Sequence, residues 1–178
     1  MKELQLKNGE LITIRPARTN DAVDLIEYLG KIGAESDNLT FGPGEFEISV
    51  EQEVNFLEGM AVSDNSIYLV AHNGEQIVGS LNFSGGGRPR IAHTGEFGVS
   101  VLKAYWYNEI GTGLIKYLLE WCRARGVIRK VNLRVRTDNE HAIQLYKKLG
   151  FVEEGIITRE FLINGCFYDT MAMGLQID

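Results

Sequence analysis

The chain has 178 residues with 18 basic against 24 acidic side chains, a formal net charge of −6. That balance argues against a generic nucleic-acid binder, which must neutralise phosphates, and no apolar run reaches the length of a membrane helix. With 44% apolar and 24% charged residues, the composition suits one globular domain, expected over 1–178, and a chain of this size buries roughly 70% of its unfolded surface.

LITIRPA, Leu11 to Ala17, alternates as a short strand does. Thr19 is placed to cap a helix through DAVDLIEYLGKI, with Val23, Ile26, Leu29 and Ile32 near helical spacing and Gly33 at its end. AESDNLTFGPGEFEI is a loop punctuated by Gly and Pro, and its Glu35, Asp37, Glu45 and Glu47 form an acidic rim. Ser49 followed by Gln52 has the spacing of a capping box and opens a second helix, with Val54, Leu57 and Ala61 as its apolar positions.

SIYLVAH and IVGSLNF, joined through Asn73-Gly74, predict a hairpin. SGGGRPR then breaks the chain, and His93 to Val101 resumes strand character. YWYNEIGTG leads into the amphipathic helix GLIKYLLEWCRARG, with Leu114, Tyr117, Leu118 and Trp121 on one face and Gly126 at its end. KVNLRV is a strand, Asp138 or Asn139 begins the helix NEHAIQLYKKL, and Gly150 ends it. FVEEGIITREFLI and FYDTMAMGL form a last hairpin around Asn164-Gly165. The order β-α-α-β-β-β-α-β-α-β-β describes a mixed α/β domain.

The opening MKELQLKNGELITIRPA lacks the apolar core of a signal peptide, so a cytoplasmic protein is expected. Cys122 and Cys166 lie far apart with no CxxC pair, which indicates neither a zinc ribbon nor a disulfide framework. His93 and Glu96 stand three apart on a strand and so face opposite sides. No metal site is expected.

The corner before GLIKYLLEWC is where an anion could bind. A helix start offers unsatisfied N–H groups and the favourable end of the dipole, and glycines let a diphosphate approach the backbone. Glu109 opposes this with a carboxylate, and the alternative is a plain helix N-terminus.

The element order, with GEFGVSV, IGTGLIKYLLEWCRARGV and DNEHAIQLYKKLGF in sequence, resembles the GNAT superfamily of N-acetyltransferases over nearly the whole chain. REFLINGCFYDTMAMGL is similar to the branch that includes ribosomal-protein N-terminal acetyltransferases. The resemblance implies a single α/β (α+β) domain, with a mixed, mostly antiparallel sheet flanked by about four helices. It also implies that the strands at 93–101 and 130–135 splay apart to admit acetyl-CoA.

In this family the diphosphate loop reads Arg/Gln-x-x-Gly-x-Gly/Ala, and two registers fit. Trp106-Tyr107-Asn108-Glu109-Ile110-Gly111 keeps the usual distance from Val101 and is preferred; Asn108 to Gly113 is the other. The first puts Glu109 where the family has glycine and Trp106 where it has a basic residue. The resemblance further implies that Val99, Ser100 and Val101 meet the pantetheine arm, with the Val99 N–H polarising the thioester. Trp106 to Thr112, including Tyr107, Asn108, Glu109, Ile110 and Gly111, would hold the diphosphate. Asn139 would contact the pantetheine, and Tyr146 would protonate the departing thiolate. Glu96 is the candidate for receiving the amine proton, directly or through water, and Tyr168 a candidate lining residue of the acceptor pocket.

A lysine-like amine of pKa ~10.4 costs roughly 4.6 kcal/mol to deprotonate at pH 7, and an α-amino group near ~8 about a third of that. The expected reaction is acetyl transfer to a primary amine (a protein N-terminus, an amino acid or another small amine) by direct attack, without a metal, a membrane or a nucleic acid. The rival readings are a module of the same fold that binds CoA without turnover, and an unrelated nucleotide-binding domain, although neither a P-loop lysine nor GxGxxG is present. The sequence leaves a homodimer open.

Overall fold

A computed structural model describes residues 1–177. One eight-stranded sheet runs in the order β1-β2-β3-β4-β5-β6-β8-β7. Its strands are β1 (Lys2–Gln5), β2 (Leu11–Pro16), β3 (Ile67–His72), β4 (Ile77–Gly85), β5 (Thr94–Val101), β6 (Lys130–Arg136), β7 (Val152–Ile163) and β8 (Cys166–Gln176). The helices are α1 (Ala22–Glu35), α2 (Val50–Val62), α3 (Ile110–Arg125) and α4 (Glu140–Lys148). Strand β1 extends the expected order at its start. It pairs antiparallel with β2, Leu4 opposite Ile12, so its short KELQ is held by a neighbour rather than by its own pattern.

Two apolar clusters lie on the two faces of the sheet. On one, Leu114, Ile115, Leu118 and Cys122 of α3 and Ile143 and Tyr146 of α4 pack on Leu81, Phe83, Phe97, Leu133 and Met173. On the other, Leu25, Tyr28, Leu29 and Ile32 of α1 and Leu57 of α2 cover Tyr68 and Val70. The buried face of α1 is thus rotated from the expected one: Val23 is 58% exposed, because Leu25, Tyr28 and Ile32 define the stripe.

The start of α1 also differs. Thr19 lies in a 3-10 turn, Thr19–Asp21, and makes no side-chain cap there. Asp21 instead accepts from the Arg18 N–H at 2.7 Å and from both terminal nitrogens of Arg15 at 2.6 and 2.8 Å. Nor does Gly33 end the helix, which continues to Glu35. A Cβ at Gly33 would stand 3.0 Å from the Gly42 carbonyl oxygen and 3.1 Å from the Phe41 ring, so glycine there permits a close approach. Ser49 and Gln52 do form the reciprocal capping box of α2, but Ala61 is exposed and Glu53 takes an inward position. Gly126 closes α3 in the left-handed conformation, and Asn164-Gly165 supplies two positive φ angles to the last hairpin.

Burial raises the Asp21 carboxyl, but Arg15 and the Arg18 N–H outweigh it and leave the pKa below the ordinary range. A depressed folded-state pKa contributes stability above the unfolded value near ~3.9, lost as pH falls through the folded one. Asp21→Ala is expected to destabilise the fold by about 2 kcal/mol at pH 7, with the difference shrinking in acid; urea unfolding at pH 7 and pH 3 measures both.

Candidate active site

Strands β5 and β6 run parallel, but they pair only from Thr94 to Glu96 against Lys130 to Asn132. Beyond Glu96 they separate. β6 turns to its other neighbour, pairing with β8 along its whole length, and β5 stays with β4 as far as Gly79 opposite Val101. The Leu102 N–H donates to the Val78 carbonyl of β4 at 2.9 Å. Strand alternation therefore aims the N–H groups of Val99 and Val101 at the gap, and that of Ser100 at β4. The Ser100 hydroxyl bonds the Tyr28 hydroxyl at 2.8 Å on the sheet's other face. Ser100 is thus turned away from the gap in both backbone and side chain.

The segment after β5 folds back over the gap's end. The Trp106 indole N–H donates to the Val101 carbonyl at 2.7 Å. The Asn108 amide donates to the carbonyls of Tyr105 at 3.3 Å and Trp106 at 3.1 Å. Tyr107 and Glu109 both adopt left-handed backbone, φ 62° and 59°, a conformation L side chains resist. Glu109 is the N-cap residue of α3 and is exposed, and the helix leaves the N–H groups of Ile110, Gly111 and Thr112 without intrahelical partners. Gly113 is already inside the helix: its N–H donates to the Glu109 carbonyl at 2.8 Å, and a Cβ there would lie 2.8 Å from Ile14 Cδ1. Its smallness serves the packing of α3 on β2.

Helix α4 closes the other side. Asn139 is its N-cap, accepting from the Ala142 N–H at 3.2 Å, which leaves its amide NH₂ as a donor. Tyr107 meets His141 edge to face with ring centroids 5.4 Å apart, bridging the loop to the start of α4. Tyr146 is buried and packs on Phe97 of β5 at 6.1 Å and on Phe151 at 6.0 Å. Burial pushes its phenol up to about 12, so the hydroxyl stays protonated at neutral pH. Val99, Val101, the loop 106–112, Asn139 and Tyr146 thus gather around one opening.

Glu96 and Tyr168 lie on the sheet's opposite face. Glu96 accepts from Arg134 Nε at 2.9 Å, Arg134 also pairs with Glu160, and Glu160 bonds the Thr170 hydroxyl. Tyr168 carries the Arg136 guanidinium 3.8 Å above its ring, and Arg136 forms a fork with Asp138 at 3.0 and 2.6 Å. The acidic rim is partly engaged, since Glu35 accepts from the Lys103 N–H at 2.7 Å and Glu45 from the Gly42 N–H at 2.7 Å. Cys122 is fully buried and burial raises its thiol to about 12, so it is no nucleophile. Among the described residues no group of three or more His, Cys, Asp or Glu could hold a metal, and no helix is long and apolar enough to cross a membrane.

The acetyltransferase (GNAT) family model matches residues 35–151, a span that contains the gap, the loop and α4. The chain belongs to the GNAT family. A GNAT-family acetyltransferase from Streptococcus pneumoniae is 34% identical, superposes with a TM-score of 0.90, and is covered over 94% of this chain and 99% of that one. An L-amino acid N-acetyltransferase, AaaT, from Escherichia coli is 32% identical over 59% of this chain and 65% of its own length. A GNAT superfamily phosphinothricin acetyltransferase from Sinorhizobium meliloti, solved in complex with AcCoA, shares the fold. Its TM-score is 0.80 at 19% identity, over 93% of this chain and 88% of that one. This chain thus spans just under two thirds of the length of that curated relative, AaaT.

Within this GNAT domain, residues the sequence reading passed over line the face opposite α3 and α4. Tyr28, Glu53, Tyr68, Asn82, Arg134 and Arg136 come from α1, α2, β3, β4 and β6. Only the polar alternation of NLRVR on β6 hinted at any of them. The carboxyl of Glu53 sits at a helical position four before Leu57, a spacing that the sequence equally allows to a solvated residue.

Proposed function

We propose that the chain is an acetyl-CoA-dependent N-acetyltransferase acting on a primary amine by direct attack. The observation that carries this reading is the open edge of β5, where the Val99 and Val101 N–H groups lack a β6 partner just where the strands part. That edge fits the amide-rich pantetheine arm, which can lie along it as an added strand, while the N–H groups of Ile110, Gly111 and Thr112 face a diphosphate. The first loop register is favoured, since α3 begins at Ile110 and Gly113 is spent on packing against Ile14.

Acetyl-CoA supplies an acetyl group activated as a thioester. The Val99 N–H polarises its carbonyl oxygen. As the amine nitrogen forms its bond to the acetyl carbon, the C–S bond breaks and its electron pair stays on sulfur, which takes the proton of the Tyr146 hydroxyl. The proton lost by the amine leaves through water toward Glu96, whose carboxylate is also held by Arg134. The Asn139 amide NH₂ orients the arm. Tyr168, beneath Arg136, closes the outer wall of the acceptor side.

A thiol-release assay with acetyl-CoA and a panel of amines, peptide N-termini included, tests the reading: CoA should appear with at least one amine class. Background rates throughout, with CoA still bound, would leave a binding module instead.

A further inference from the structure

On the face that carries Glu96, three residues lie in line across neighbouring strands: Tyr68 opposite Asn82, and Asn82 opposite Gly98. Directly paired residues share a face. Exposure falls along this line, from Gly98, where an added Cβ would meet nothing within 4 Å, through half-buried Asn82, to Glu53 of α2 at 2% exposure. Glu53 lies over the Tyr68 end: its charge raises the buried Tyr68 phenol, after burial itself, and Phe56 of the same helix packs on Tyr68 at 6.0 Å.

Among the described residues, three buried side-chain acceptors have no donor, and one of them, Asn132 Oδ1, lies on this face opposite Glu96. The Oε1 of Glu53 and the Oδ1 of Asn82 are both buried without a hydrogen-bond partner. A buried carboxylate without a partner costs stability, and such a group calls for something that completes it, a ligand, an ion or a water. Burial alone raises the Glu53 carboxyl above its ordinary range, which a neighbouring cation would reverse. Meanwhile the guanidiniums on this face are engaged, Arg134 with Glu96 and Glu160 and Arg136 with Asp138, so this face offers no ready partner to a carboxylate.

We propose that Glu53 and Asn82 receive a second cationic nitrogen of the acceptor, which makes that acceptor a linear diamine or polyamine. The inference rests on the acetyl-transfer reading for the position of the reacting nitrogen, which must lie beside Gly98 to reach a thioester held at Val99. Tyr68 stands two strands away, roughly 10 Å by strand spacing, and Asn82 stands between them. The nitrogen at Glu53 is therefore a different one from the nitrogen that reacts, separated from it by roughly 5–10 Å.

The test measures spermidine binding to the CoA complex by calorimetry, and turnover of spermidine and n-butylamine, in the wild type and in Glu53→Gln. Removing a charge-assisted contact should weaken spermidine binding and raise its KM by about 10- to 100-fold, with kcat and n-butylamine turnover little changed. The amine-free Glu53→Gln and Glu53→Leu proteins should melt higher than the wild type, since each removes an unpartnered buried carboxylate. Unchanged spermidine affinity in Glu53→Gln, or equal loss with both amines, overturns the proposal. So does a wild type that binds a lysine-containing peptide but no spermidine. Because calorimetry needs no turnover, an inactive enzyme that binds spermidine through Glu53 would defeat the transferase reading and leave this one standing.

Discussion

Tyr146→Phe should lower kcat by about 10²-fold, the usual contribution of one positioned acid, and leave acetyl-CoA affinity essentially unchanged. The ring contacts to Phe97 at 6.1 Å and Phe151 at 6.0 Å belong to the aromatic frame and survive the change. What disappears is one hydroxyl, held protonated by burial with its pKa pushed up to about 12. A phenol so buried is a weak free acid, but in the proposed reaction it would face a sulfur that gains charge in the same dry surroundings, where a donated hydrogen bond is worth more than in water. Steady-state kinetics with a titration of CoA separates the two effects. An unchanged kcat would reduce Tyr146 to a core aromatic of α4, and a parallel loss of CoA affinity and thermal stability would point to repacking.

Glu109→Gly should do two things at once, and Glu109→Gln only one of them. Glu109 holds φ 59° and ψ 12° at the N-cap of α3, a conformation that costs an L residue roughly 1–2 kcal/mol. Glycine removes that cost and returns part of it as unfolded-chain entropy, for a net gain of about 0.5–1 kcal/mol, or roughly 1–4 °C in Tm for a chain of this size. Either substitution removes a carboxylate from beside the proposed diphosphate. At ~6 Å in water each charge pair is worth roughly 0.7 kcal/mol, so two phosphate charges give about a tenfold gain in CoA affinity. Glu109→Gln should therefore tighten CoA without raising Tm, and added salt should shrink the gain in both variants. A gain in stability without a gain in affinity would separate backbone strain from phosphate binding and return the choice to the second loop register.

Much of this architecture was legible because its signals are local. The Ser49–Gln52 box, the Asn73-Gly74 and Asn164-Gly165 turns and the apolar stripe of α3 each depend on residues a few positions apart, and each occurs where its chemistry required. Where local signals competed, tertiary packing decided. Thr19 lost the α1 start to Asp21 because Arg15, from the preceding strand, could reach the Asp21 carboxylate. Gly33 read as a helix stop, yet the chain brings Phe41 and Gly42 back against it, and a close approach needs glycine as much as a turn does.

The site divides along the same line. The order of the strands, the glycine-bearing entry to α3 and the DNEHAIQLYKKLGF helix were enough to place a GNAT domain, because each is carried by contiguous residues. By itself the sequence also placed Val99, Val101, Asn139 and Tyr146 correctly on their elements. Only the tertiary structure decided which face each side chain serves. It set Tyr146 against Phe97 on one side of the sheet, turned Ser100 and Glu96 to the other, and brought Glu53 from α2 over Tyr68 with an oxygen left unpaired. The reason is that pairing and burial depend on neighbours far away in sequence, 14 positions for Tyr68 opposite Asn82 and 72 for Tyr28 against Ser100, and such distances leave no mark on the pattern of any one segment.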